Sequence, residues 1–176
     1  MISLNAVVSK DMELDLKGAA EQLAEALRLQ DCRIVFAESC TAGLVSATLA
    51  RVPGVSKWHC GSAVVYRETT KTAWLAIPPE MIAKHGAVSA EVAQLMAAGV
   101  LQFTPEADIS AAITGHLGPD APAELDGVVF IALARREESS VVFSAVERVK
   151  LNSSDRMDRQ HEAALAVLEN SIKSIS

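Results

Sequence analysis

Ile34-Val35-Phe36-Ala37-Glu38-Ser39-Cys40-Thr41-Ala42-Gly43 is the stretch on which the reading of this chain turns. Four consecutive apolar residues, Ile34 to Ala37, are what a strand covered on both faces presents. Small polar residues then break the run. Leu44 to Leu49 resumes it as a helix, and Pro53-Gly54 stops that helix. A buried strand feeding a helix through a short polar turn is a building unit of layered α/β folds. In such folds ligands settle at the carboxyl end of the strand, and free N–H groups at the next helix start favour an anion.

Outward from this unit the pattern alternates. Upstream, Ala19, Ala20, Leu23 and Leu27 recur at helical spacing and predict an amphipathic helix over Leu16 to Leu29, with residues 1–13 as a loose lead-in. Downstream, Ser62 to Tyr66 reads as a strand and Thr69 to Ala76 as a helix before Pro78-Pro79. Ser89 is placed to cap a helix that runs to Phe103. Ile109 to Thr114 reads as another buried strand, followed by a loop rich in Gly, Pro and Asp. Val128 to Ala134 and Val141 to Val149 read as an antiparallel pair turning through 135–140, and Asp155 or its neighbour opens a last helix. Strands mixed with helices throughout predict one α/β domain over residues 14–176.

The bulk properties narrow the function classes. A chain of 176 residues suits a single core, and a formal charge of −6 with no basic cluster argues against a nucleic-acid surface. No apolar run approaches the roughly 20 residues needed to span a bilayer, and the N-terminus is not a secretory signal. Three cysteines, Cys32, Cys40 and Cys60, form no C-x-x-C pair, which favours a reducing compartment and a cytoplasmic protein. The four histidines are scattered, so no metal site is expected. Neither a Walker loop nor a G-x-G-x-x-G fingerprint occurs.

Several residues can carry chemistry. Ser39, on the turn after the strand, is either a nucleophile or a cap of the next helix. Its neighbour Cys40 is an alternative nucleophile if the helix start makes it a thiolate. Tyr66 is the only tyrosine, and Lys71 follows it in a helix. A lysine kept neutral by burial can serve a serine as base, and a phenol can relay a proton; a solvated lysine and a strand-end tyrosine are the plainer readings. Arg156 and Arg159, three apart on one helix face, either clamp an anion or pair with nearby acids. Thr114-Gly115 ends a buried strand at a turn, where a hydroxyl and a close backbone approach are both available.

Taken together, these segments resemble the C-terminal domain family of CinA proteins. Ala37-Glu38-Ser39-Cys40-Thr41-Ala42-Gly43-Leu44 is similar to its A-E-S-C-T-G-G-L motif. Gly61 to Tyr66 with Lys71, then His85-Gly86-Ala87-Val88-Ser89, then Ile113-Thr114-Gly115 with Gly118-Pro119, and finally Arg156, Arg159 and Ala164-Leu165 follow in the family's order. The resemblance implies a three-layer α/β/α sandwich with a mixed sheet. It implies hydrolysis of the carboxamide of nicotinamide mononucleotide, with Ser39 as nucleophile and Lys71 and Tyr66 assisting. Amides around Thr41, Ala42 and Gly43 would hold the oxyanion, and Thr114, Gly115, Arg156 and Arg159 would position the small-molecule substrate. No metal or organic cofactor is called for, the chain looks like the stand-alone form, and self-association is expected.

Two departures bear on activity. Ala42 stands where the family has a second glycine, and its methyl would block a ligand or require a negative φ. The family's glycine-rich run after Gly-Pro is replaced by Asp120 to Gly127. Facing a nucleotide phosphate, Asp120, Glu124 and Asp126 would repel it, which predicts poor turnover. The alternative function is a relative that has lost catalysis and serves as a nucleotide-binding or partner protein.

Overall fold

The computed structural model describes residues 4–138 and 140–175, with side chains from Met12 onward. Twelve elements follow one another. They are helix α1 (Leu4–Leu29), strand β1 (Ile34–Glu38), α2 (Leu44–Leu49), a 3-10 turn (Val55–Lys57), β2 (His59–Val64), α3 (Glu68–Leu75), α4 (Pro79–His85), α5 (Ala90–Gln102), β3 (Ile109–His116), β4 (Val128–Glu137), β5 (Ser140–Lys150) and α6 (Arg156–Ile175). The strands form a five-stranded sheet in the order β2-β1-β3-β4-β5. β2 and β3 both run parallel to β1, and β4 and β5 are antiparallel to their neighbours, so the sheet is mixed as expected.

Alternation along the strands makes two cores. Ile34 and Phe36 of β1 join Ile109, Ala111 and Ile113 of β3 and Val129, Ile131 and Leu133 of β4 on one face, under Leu16, Leu23 and Leu27 of α1 and Val167 and Leu168 of α6. Val35 and Ala37 join Ala112, Ala132 and Ala134 on the other, under Val92, Met96 and Val100 of α5. The second face is built from small side chains, which lets α5 lie close on the sheet. Gly99 extends that closeness to the next helix, since a Cβ there would stand 2.4 Å from the Leu75 carbonyl oxygen. Helices on both faces of one sheet make the three-layer α/β/α sandwich.

The chain leaves β1 through α2 on one face to reach β2. It then crosses the opposite face through α3, α4 and α5 to reach β3 on the other side of β1. The carboxyl ends of β1 and β3 therefore open a crevice at the point where the strand order reverses, the usual ligand position in open α/β sheets.

The elements differ from the sequence reading in four places. α1 begins at Leu4, so the described part of the expected lead-in, from Leu4 on, is helical; once a helix is nucleated, each further residue costs little. α4 goes beyond the expected stop at Pro78-Pro79: with its fixed φ and no N–H, Pro79 suits the first position of a helix. β2 lies earlier than Ser62–Tyr66 and leaves Tyr66 outside the sheet. β4 and β5 pair out to Glu137 and Ser140, so their turn is tighter than 135–140. Two caps fall where expected. Ser89 Oγ accepts from the Val92 N–H at 3.2 Å, and Asp155 Oδ1 accepts from the Met157 N–H at 2.8 Å.

Candidate active site

β1 ends in Glu38, a carboxylate buried to 1% exposure. It accepts five hydrogen bonds: from Thr41 Oγ1 at 2.8 Å, the Gly43, Val45 and Ser46 N–H groups at 2.9, 3.1 and 3.0 Å, and Ser62 Oγ at 3.0 Å. Three of those donors are free N–H groups at the start of α2, where a negative charge is favoured. Glu38 thus fastens the turn that carries Ser39 to β1, β2 and α2 together. An ionisable residue closing a wholly apolar run was the sequence signal for it, and the sequence reading gave Glu38 no role.

Ser39 is itself buried, and its N–H donates to the Ile113 carbonyl at 3.1 Å, which locks the turn against β3. Lys71 comes from α3 on the other side. Its side chain is buried to 1% exposure, and Nζ lies 2.9 Å from Ser39 Oγ and 2.8 Å from the Val65 carbonyl oxygen. Neither partner is charged. Burial pulls the amine below the ordinary lysine range, opposed by the charge of Glu68. A protonated amine donates to both oxygens. A neutral one donates to Val65 and accepts the Ser39 proton, the arrangement a serine nucleophile requires.

Cys40 does not fit the nucleophile role. Its side chain is buried in the α1–α6 core, and burial pushes its thiol up to about 12. The helix-start amides that would have stabilised a thiolate are taken by Glu38.

A cavity of about 500 Å³ opens beside Ser39 and Lys71. Tyr66, Arg67, Glu68, Thr114, His116 and Arg156 are on its wall. Tyr66 is 55% exposed, and its phenol oxygen accepts from Arg156 Nη2 at 2.9 Å. It shares the cavity with the serine and lysine from the rim, and among the described residues it bonds to neither. Arg156 also donates to the Gly118 carbonyl, so the guanidinium ties two walls together with uncharged partners only. Thr114 Oγ1 donates to the Ala87 carbonyl at 2.8 Å. Gly115 borders the cavity, and the space its Cβ would need is filled by Val129 Cγ1 at 2.4 Å, so its smallness serves the pairing of β3 with β4.

Four expected ligand residues stand elsewhere. Thr41, Ala42 and Gly43 lie off the cavity wall. The Thr41 hydroxyl and the Gly43 N–H are bound to Glu38, and the Ala42 N–H donates to the Ser39 carbonyl at 3.1 Å. Ala42 adopts φ 54°, the left-handed conformation the family's glycine would take, with its methyl exposed to solvent. It neither blocks the cavity nor forces a negative φ. Arg159 is directed at the loop that follows β3. Its guanidinium donates to Asp126 Oδ1 and Oδ2 at 2.8 and 2.9 Å, to the Ser153 carbonyl at 2.7 Å and to the Leu117 carbonyl at 3.3 Å. Gly118 and Gly127 have φ of 69° and 62°, and a Cβ on either would press on that guanidinium.

The acidic loop is therefore turned away from the cavity. Asp126 is paired with Arg159, which holds its carboxyl below the usual carboxylate range. Asp120 and Glu124 are exposed, and the cavity wall ends at Pro119. Among the described residues no three His, Cys, Asp or Glu side chains are grouped to hold a metal ion, and no helix is long and apolar enough to cross a membrane.

Comparison with known proteins accords with this geometry. The profile of the CinA C-terminal domain matches residues 16–175. A CinA-like protein of Myxococcus xanthus is 37% identical, over 84% of this chain and 37% of the relative. The chain spans about a third of the length of the curated relatives it matches. The crystal structure of a CinA superfamily protein from Klebsiella pneumoniae superposes with a TM-score of 0.82 at 25% identity, covering 91% of this chain and 97% of that one. A competence/damage-inducible protein from Agrobacterium tumefaciens gives a TM-score of 0.82 at 27% identity, over 90% and 94% of the two chains.

Proposed function

As this chain belongs to the CinA C-terminal domain family, we propose that it is an amidohydrolase that cleaves the carboxamide of nicotinamide mononucleotide or a related small amide. The observation that carries the reading is the buried amine of Lys71, 2.9 Å from Ser39 Oγ and, among the described residues, hydrogen-bonded to no acid. In this mechanism Ser39 Oγ attacks the carboxamide carbon as Lys71 takes its proton. The Cys40 N–H, next to Ser39 on the cavity wall, holds the oxyanion in place of the amides of Thr41, Ala42 and Gly43. Lys71 then passes the proton to the departing nitrogen, and ammonia leaves an acyl-enzyme on Ser39. Water, deprotonated by the same amine, attacks the acyl carbon, and Lys71 returns that proton to Ser39 Oγ as the ester bond breaks and the carboxylic acid leaves.

Arg156 and Tyr66 hold the phosphate end of the substrate, and Thr114 shapes the wall between the two ends. Tyr66 has a positioning part in this scheme, because its phenol is engaged with Arg156. The outward acidic loop removes the charge objection to a phosphate ligand, since its carboxylates are paired or solvated. The alternative of a binding protein without catalysis drew its motive from that loop.

Ammonia release from nicotinamide mononucleotide by the purified protein, abolished in Ser39→Ala, is the test. Binding of the nucleotide without ammonia release would favour the non-catalytic alternative.

A further inference from the structure

Glu68 is the one acidic side chain on the cavity wall among the described residues. It sits in the first turn of α3, three residues before Lys71, so the two share a helix face and reach the same cavity. An acid at a helix start is ordinarily explained by the macrodipole. That explanation is incomplete here, because the carboxylate works against the proposed base: its charge favours the protonated amine, opposing the burial that frees it. A negative charge on the wall beside the reacting serine is complemented by a positive charge on the ligand.

Resting on the amidohydrolase reading, we propose that Glu68 is a specificity-determining residue that selects a carboxamide on a cationic, pyridinium-type ring over a neutral ring of the same shape. When the carboxamide carbon lies at Ser39, its ring lies beside it, within the field of the acid one helical turn from Lys71. The opposite charge of the ligand, its phosphate, falls to Arg156 and Arg67, both on the cavity wall. The cavity then matches a ligand positive at its reacting end and negative at its far end.

The experiment compares two probes of similar size that differ in ring charge, nicotinamide mononucleotide and its reduced, neutral-ring form. Their dissociation constants are measured by calorimetry on Ser39→Ala, with and without Glu68→Gln and Glu68→Asp. Glu68→Gln is expected to weaken binding of the cationic form at least fivefold and of the neutral form less than twofold. Glu68→Asp is expected to restore part of the loss. Removing Glu68 also favours the neutral Lys71 amine, which by itself would strengthen binding of the cationic form, so a selective weakening of that form reads the direct contribution of Glu68. Equal changes for the two probes, or none for the cationic one, overturn the role of Glu68 while ammonia release by the wild type still stands. Failure of the cationic nucleotide to bind overturns it together with the amidohydrolase reading, whereas failure of the neutral form alone supports the selectivity.

Discussion

Ser39 lies between two buried ionisable side chains whose surroundings differ. On the α2 side, Glu38 accepts five hydrogen bonds, three of them from amides that have no other partner in the helix. On the α3 side, Lys71 has two neutral oxygens as hydrogen-bond partners, and the exposed Glu68 only partly opposes the effect of burial. A buried charge met by several donors is stabilised in its charged form and fixes the backbone around it. A buried amine met by two uncharged acceptors is pushed toward neutrality. The first is structure and the second is available for chemistry, although the two flank the same serine.

Replacing Lys71 gives the largest expected effect. Lys71→Met should lower kcat by at least about a thousandfold, within the range seen for loss of a general base with its nucleophile. It should leave stability unchanged or raise it, because a costly buried amine is exchanged for an apolar side chain of similar length. Lys71→Arg keeps the charge and cannot act as a neutral base near pH 7, so it should be equally inactive. A well-folded Lys71→Arg protein with near-normal turnover would end the base role.

Glu38→Ala should do the opposite. Its donors lose their acceptor inside the protein, at about 1–3 kcal/mol for each unsatisfied group, so a loss of about 3 kcal/mol or more in chemical denaturation is expected. If Glu38→Ala were as stable as the wild type, the comparison between the two sides of Ser39 would fail.

The pH dependence of stability sharpens the same contrast. The folded-state pKa of Lys71 lies below its unfolded value of about 10.4, so the unfolded chain binds more protons in the window between them. Lys71 therefore costs stability at low pH, and the cost fades as pH rises through that window. The stability advantage of Lys71→Met over the wild type should be largest on the low-pH side of that window and shrink toward pH 10. An advantage that does not change with pH would contradict the depressed pKa.

Smaller effects distinguish the two arginines of α6. Arg156→Ala should raise KM for the nucleotide about tenfold and change little for nicotinamide, which lacks the phosphate. Arg159→Ala should act chiefly on stability, by about 1–2 kcal/mol, because it frees the 117–127 loop and half of its ion pair is solvent-exposed. Asp120→Asn with Glu124→Gln should change KM less than twofold, since both side chains are exposed and off the cavity wall. A large gain from that last pair would return the acidic loop to the cavity.

Much of this arrangement was legible in the sequence, for local reasons. The apolar run of β1, the turn after it and the caps at Ser89 and Asp155 are set by neighbours a few residues away. What was not legible depends on distant partners. Arg156 and Arg159 are equivalent as sequence. Their roles separate because Asp126 meets one, and Tyr66 with Gly118 meets the other. Thr41 to Gly43 read as an anion site only while the acid at the end of β1 is left out of account. Tyr66 joined the apolar run of β2 by composition, and the strand ends before it.

The ionisation of the Lys71 amine bears most directly on the account. Nitrogen-detected NMR of ¹⁵N-lysine-labelled protein, with Lys71→Met assigning the resonance, follows the protonation of Nζ without any substrate. The account predicts that Lys71 titrates well below the ordinary value of about 10.4 and shifts its resonance when Ser39 is replaced by alanine. A Lys71 resonance that stays protonated to pH 10 and above and ignores the Ser39→Ala change would contradict the pairing of a serine nucleophile with a neutral lysine base.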